Sequence, residues 1–360
     1  MKKLSKEAKF NLKTIFGSLI SNRCAIEAGK SLPFWSSILV ALLAVGMAIT
    51  PIIVNAAKTN GSDILKGNYS YGIERKMAVA SVEMKQENIR LEVDANHMLT
   101  FYKNDVARNA DVQGVELLSS YTVVKADYTE QYDIRSYFVN DYNEKTYAQY
   151  INETMQTQYL LGTTTKKSDT DPKDSKYYIP TSVFYYEKGF VVYAYKYGTT
   201  TAAFSFAGDF VNVEPTELNK TILTVDGYVP TTIDDISKSG YEAGVLDNLK
   251  TLFDKSFLEI KGRNLLYSST IYSAVYLGLI ILLGLLTFFI TRGKRNFNNY
   301  LKIYQCLYIA CWVSFTPGLL ALILGFALSN YAVMMFILFM GVRTMWLTMK
   351  QLAPTGAPAK

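Results

Sequence analysis

Histidine is almost absent from this 360-residue chain, with His97 the only example. Hydrolase triads and many metal sites depend on imidazole, whose ordinary pKa lies near neutrality. His97 falls in what reads as a hairpin turn, so it is expected to be an ordinary surface residue. Cysteine is nearly as scarce. Cys24 lies in the N-terminal tail and Cys306 and Cys311 lie in a C-terminal apolar run, which leaves residues 58–264 with none. That excludes a cysteine nucleophile and a disulfide framework for this segment, and for a domain outside a cell it favours a bacterial surface. The G-x-S-x-G elbow, the His-Glu-x-x-His helix, the P-loop and the dinucleotide glycine pattern are also missing. Asp169, Asp171 and Asp174 have the spacing of a calcium loop but not its bend glycine or distal glutamate. They read as a solvated loop, and no enzyme chemistry, cofactor or metal site is expected.

Acidic residues vanish beyond residue 264, where residues 265–360 hold seven Lys/Arg and no Asp or Glu. What fills the two ends of the chain instead is apolar. Leu32 to Val54 and Leu265 to Thr291 each run without a charge, long enough for a helix to cross the roughly 30 Å hydrocarbon core of a bilayer. Ile303 to Met349 is too long for one crossing and is divided at Ser329-Asn330, which predicts two helices and a tight turn. Four spans follow. Basic residues mark the cytoplasmic side, and they collect in residues 1–31 and in Arg292, Lys294, Arg295 and Lys302, which are read as topology determinants. Residues 58–264 carry 23 Lys/Arg against 29 Asp/Glu. The same basic clusters would also attract anionic headgroups, and no basic domain remains for nucleic acid.

The expected fold class is therefore a membrane α-helical protein of four transmembrane helices with an inserted extracellular α+β domain. Its parts are a basic cytoplasmic tail (1–31), helix 1 (32–57), the extracellular domain (58–264), helix 2 (265–291), a basic cytoplasmic loop (292–302), helix 3 (303–328), helix 4 (331–349) and a cytoplasmic tail (350–360). Helix 1 is expected to be an uncleaved anchor, because both its leading tail and its apolar run exceed those of a signal peptide.

Within the exterior domain, residues 89–105 alternate apolar and polar side chains around Asn96, predicting a hairpin. A strand is predicted from Tyr121, and a helix over residues 144–161 from Tyr147, Tyr150, Ile151, Met155 and Tyr159. A polar loop around Pro172 follows. Strands are then predicted over Ser182–Tyr186, Phe190–Tyr197 and Ala202–Ala207, with Glu187-Lys188-Gly189 as a turn. Alternation places Tyr193, Tyr195 and Tyr197 with Val191 on one face and Phe190, Val192 and Ala194 on the other. Two readings stay open for these tyrosines. They pack a half-buried pleat, or they form a binding surface for a glycan or a partner protein. Residues 231–269 read as mostly helical, with Leu246, Leu249, Leu252, Phe253, Phe257 and Ile260 on one side, running into or ending above the second span.

Inside the spans only Arg343 is ionisable well away from an end, and its distance from Lys350 allows it to snorkel to the headgroups. Thr316-Pro317-Gly318 in "CWVSFTPGLLALILG" predicts a helix kink with a freed carbonyl, serving packing or docking. The layout resembles a family of bacterial membrane proteins often labelled maltodextrin-utilisation proteins. The residues that carry the resemblance are the hairpin "IRLEVDANHMLTFYK" and the stretch Asn298 to Leu324. The resemblance implies a place beside sugar-uptake systems and brings no catalytic residues.

The resulting expectation is a non-enzymatic integral membrane protein whose extracellular domain engages a membrane or envelope protein partner, as an accessory component of a carbohydrate-uptake or envelope complex. The alternative is a surface receptor signalling through the helix before the second span.

Overall fold

The computed structural model of the chain describes residues 13–66, 73–124, 131–140, 165–166, 177–178, 181–195, 202–236, 240–293, 296 and 298–352. In chain order the helices are α1 (Asn22–Ser31), α2 (Phe34–Lys58), α3 (Gly61–Lys66), α4 (Ile73–Gln86), α5 (Leu218–Leu223), α6 (Ile233–Ile236), α7 (Tyr241–Thr291), α8 (Ile303–Ala327) and α9 (Ala332–Lys350). The strands are β1 (Ile89–Val93), β2 (Leu99–Lys103), β3 (Val106–Ala107), β4 (Val115–Val124), β5 (Gln131–Val139), β6 (Thr165–Lys166), β7 (Tyr177–Tyr178), β8 (Thr181–Tyr186), β9 (Gly189–Tyr195), β10 (Ala202–Asp209) and β11 (Thr216–Glu217). Two compact units result, one from residues 59–262 and one from residues 1–58 with 263–360.

Among the described residues the strand-rich unit has three sheets, a two-stranded antiparallel pair β6-β7 and two larger ones. One has the order β11-β1-β2-β3 and the other β10-β9-β8-β5-β4, in which only β5 and β8 run parallel. The predicted hairpin is β1 and β2, paired from Ile89 with Lys103 to Val93 with Leu99. Its turn holds because Asp94 Oδ1 accepts from the backbone N–H of Asn96 (2.8 Å) and of Met98 (2.9 Å), an Asx turn. His97 adopts φ 60° there, and its Nδ1 lies 3.0 Å from the Val213 carbonyl, so the ring is half-buried and engaged rather than free on the surface.

The meander β8-β9-β10 follows its predicted strands. The connection between β8 and β9 shortens to Glu187 and Lys188, because Tyr186 already pairs with Gly189. Gly189 is required by its neighbour, since a Cβ there would collide with the Gly208 carbonyl of β10. The strand expected from Tyr121 begins six residues earlier, at Val115, and Ser119 and Ser120 pair with Ser136 and Arg135 despite their polarity. The helix expected over residues 144–161, most of the Pro172 loop, and Asp169, Asp171 and Asp174 lie outside the described residues.

One face of the larger sheet supplies Ile134, Phe138, Val183, Phe190, Val192 and Phe206 to a core completed by α4, Leu91 and Phe101 of the smaller sheet, and Val245, Leu249 and Phe253 of α7. The rings of Phe206 and Phe253 stand 4.2 Å apart at their centroids, and those of Phe101 and Phe138 5.0 Å. The opposite face buries a smaller cluster of Tyr137, Val139, Phe184, Tyr186 and Val191.

The second unit is helical. Among the described residues four helices, α2, α7, α8 and the stretch Ser329–Lys350, are long and apolar enough to cross a membrane. Helix α7 is one unbroken element of 51 residues. The division at Ser329-Asn330 is a single 3-10 turn, Ser329–Tyr331. Trp312 Nε1 donates to Ser37 Oγ at 3.1 Å, Gly318 abuts Ala44 and Gly325 abuts Pro51. These contacts ascend together along both sequences, so α2 and α8 run parallel. Their seven-residue steps in α2 are two helical turns, which keeps the seam on one face.

The N-terminal segment is helical over residues 13–17 and in α1. Ala25, Ala28 and Gly29 are buried, and a Cβ on Gly29 would come within 2.7 Å of the Ile309 backbone nitrogen, so small residues let α1 lie directly on α8. One end of the bundle is knitted by Asn296, whose Nδ2 donates to the carbonyls of Leu352 (2.6 Å) and Ile290 (3.3 Å), and by Lys30 Nζ donating to Tyr300 Oη at 2.7 Å.

Candidate functional site

Pro317 sits inside α8 without interrupting it. Having no N–H, it cannot satisfy the carbonyl four residues earlier, that of Val313. Arg343 Nη1, projecting from α9, donates to that carbonyl at 2.9 Å. The same nitrogen donates to Thr316 Oγ1 at 2.5 Å, and the Thr316 hydroxyl in turn donates to the Leu19 carbonyl. Arg343 Nε donates to Asn22 Oδ1 at 3.0 Å, and Nη2 donates to the Ser18 carbonyl. The guanidinium therefore ties together three stretches of chain: residues 18–22, the proline turn of α8, and α9. This differs from the expectation that Arg343 snorkels to headgroups. The reason is local, because the proline releases the Val313 carbonyl and the chain entering α1 presents the Ser18 carbonyl and the Asn22 side chain beside it.

Gly318 completes the geometry. A Cβ at this position would lie 2.5 Å from the Ala44 carbonyl oxygen and 2.8 Å from its Cα, so only glycine allows α2 this close. Thr316-Pro317-Gly318 thus faces the N-terminal segment with its hydroxyl, α9 with its freed carbonyl and α2 with its bare Cα.

All the partners of Arg343 are neutral. The sequence of this unit contains 16 Lys/Arg but only Glu7 and Glu27 as carboxylates. Glu7 is outside the described residues, and among those described no carboxylate pairs with Arg343. Arg343 lines a cavity of about 460 Å³ with Asn22, Thr316, Pro317 and the apolar side chains of Leu320, Phe339, Val342 and Trp346. A second cavity, of about 560 Å³, is lined by Arg23, Glu27, Lys30, Asn298 and Lys350. Gln351 lines both.

The other sequence candidates do not converge on this place. Tyr193 pairs with Ser182 and Ser205 within the larger sheet, and its ring meets Phe184 edge-on with centroids 6.2 Å apart. Burial pushes its phenol above the ordinary tyrosine range. Tyr195 pairs with Ala202 near the end of β9. Tyr197, like Lys294 and Arg295, lies outside the described residues. The Arg292 guanidinium stacks 4.6 Å from the Phe288 ring centroid. Lys302 precedes α8, its backbone N–H capped by Gln305 Oε1 at 3.0 Å.

Sequence reasoning missed Ser18, Leu19 and Asn22, which were read as part of a tail. One signal could have found a partner for the kink: a proline in an apolar helix frees a defined carbonyl, and Arg343 is the one cation well inside a span. Fold and site together define a chain with four helices long and apolar enough to cross a membrane and a separate strand-rich unit. No family model, no curated protein and no solved structure matches it.

Proposed function

We propose that this chain is a multi-pass protein of a bacterial plasma membrane, with both termini and residues 292–302 cytoplasmic and residues 58–264 outside. Its outer unit engages a membrane or envelope protein partner, as an accessory component of a carbohydrate-uptake or envelope complex.

The observation that carries the membrane reading is the outward face of the apolar helices. No more than 44% of the most apolar window of any of them is buried by the chain itself. Leu42, Ile281, Leu282, Phe289, Ile337 and Leu338 are all at least 41% exposed. Monomeric soluble proteins avoid contiguous apolar surface on this scale, whereas lipid accepts it. The distribution of basic residues supports the sidedness. A self-contained core in the strand-rich unit supports a domain that folds around its own sheets and offers its surface to others, and the resemblance noted above supplies the sugar-uptake context.

In-membrane crosslinking of the tagged full-length protein, followed by purification and mass spectrometry, tests the partner. Reproducible recovery of permease or solute-binding subunits is expected, and reproducible recovery of the chain alone overturns the accessory role. A second reading, a ligand sensor, is favoured by one observation: α7 carries residues of the strand-rich core, such as Phe253, and of the helical core, such as Tyr276. A thermal shift of the full-length protein by an added glycan would favour that reading.

A further inference from the structure

We infer that the helical unit holds one anionic phospholipid, with its phosphate among Arg23, Lys30 and Lys350 and its hydrocarbon against Leu320, Val342 and Trp346. The inference rests on the membrane reading above.

Two cavities of opposite character adjoin. Gln351 lines both, and the consecutive residues Asn22 and Arg23 line one each. The larger brings three cations to one concavity against a single carboxylate, Glu27, with the Asn298 amide beside them. Arg23, Lys30 and Lys350 are all exposed, so their charges are available to a ligand. A phosphodiester supplies the missing negative charge and accepts from several donors at once.

The smaller cavity is walled mainly by apolar side chains that the chain leaves open, Val342 at 50% and Trp346 at 56% exposure, while Arg343 and Thr316 on its polar side are already bonded to each other and to neutral oxygens. Lys350 Nζ lies 5.0 Å over the Trp346 ring, which places a cation of the first cavity on a wall of the second. Lys30 is held in the same way, bonded to Tyr300 Oη and 5.0 Å over that ring. An indole or phenol under a lysine has the polarity profile of a bilayer interface.

A free anion would leave the apolar wall of Leu320, Val342 and Trp346 bare, and a hydrocarbon would leave Arg23, Lys30 and Lys350 without an anion. An amphiphile with an anionic head uses both. Both lysines stand at helix C-termini: Lys350 ends α9, and Lys30 lies one residue before the end of α1.

The test uses purified full-length protein and native mass spectrometry of nanodiscs containing phosphatidylglycerol in phosphatidylcholine, or phosphatidylcholine alone. Retention of one phosphatidylglycerol per chain, at least tenfold above phosphatidylcholine, is expected. The triple variant Arg23→Gln, Lys30→Gln, Lys350→Gln should lose that preference, while Arg292→Gln with Lys302→Gln, which removes two cations outside both cavities, should keep it. Equal loss in both variants means diffuse attraction and overturns the site. Lys350→Gln alone, which leaves the other two cations in place, should weaken retention severalfold; if it and the triple variant both retain the lipid fully, the site is overturned. Inorganic phosphate at matched concentration should not displace the lipid, and if it does, a free anion rather than a phospholipid is the ligand. A chain extracted from membranes by alkaline carbonate without detergent would instead overturn the membrane reading itself.

Discussion

Arg343 donates to four neutral oxygens on two other stretches of chain, residues 18–22 and 313–316, so its removal strands more than one acceptor. Interhelical hydrogen bonds in membrane proteins average roughly 0.6 kcal/mol and reach about 1.7 kcal/mol, so Arg343→Gln should lower stability by about 2 kcal/mol. Arg343→Lys should recover little of it, because an ammonium cannot span the forked geometry that reaches Val313, Thr316 and Ser18 together. Thermal unfolding in detergent measures the loss. Cys24 provides a second readout, because it lies in α1 just after the residues that Arg343 holds. In a Cys306→Ser, Cys311→Ser background, maleimide labelling of Cys24 should accelerate severalfold in Arg343→Gln.

A different residue prediction concerns acid. The backbone N–H groups of Met98 and Asn96 hold the Asp94 carboxyl below its ordinary value of 3.8. A depressed carboxylate stabilises the fold above its unfolded pKa, and that contribution disappears as pH falls through the folded value. Asp94→Ala should therefore lower the melting temperature at pH 7 but do so progressively less as the pH falls below 3.8, measured by circular dichroism.

At the scale of elements, two packing seams are exposed to single substitutions. Gly318→Val inserts a branched side chain where the Ala44 backbone already lies, so α2 and α8 must separate. Overpacking of this kind typically destabilises by 1–3 kcal/mol, and about the upper end is expected here because the obstacle is backbone. Phe253→Ala acts on the other unit. Phe253 is fully buried between Phe190 and Phe206, so its loss should cost about 3–5 kcal/mol and loosen the packing of α7 on the larger sheet. Denaturation monitored separately for each seam should show the first variant weakening the helical unit and the second the strand-rich one.

For the whole molecule the decisive quantity is sidedness. In a chain with Cys24, Cys306 and Cys311 replaced by serine, a cysteine at Asp105, whose side chain is 92% exposed, should react with a membrane-impermeant maleimide on intact cells. A cysteine at Lys302 should react only after lysis. The reverse pattern would invert the proposed topology and put the basic residues outside. Much of the architecture was legible beforehand. Charge-free runs of more than 20 residues admit few structures other than apolar helices, period-two alternation over residues 89–105 marked the hairpin, and aromatic-rich runs broken at Glu187-Lys188-Gly189 marked the meander. Helix α1 was not legible, because its buried face is Ala25, Ala28 and Gly29, residues too small to register as an apolar stripe.

The amino-acid sequence by itself determined the number of apolar helices, the division at Ser329-Asn330, the strands around Tyr193 and the free carbonyl implied by Pro317. These depend on local composition and on the periodicity of neighbouring residues. Only the tertiary structure decided where Arg343 turns, which stretch lies against Thr316, and that Arg23, Lys30 and Lys350 share one cavity. Those facts join residues about 300 positions apart, and no local pattern encodes a contact whose partners meet only once the helices have packed.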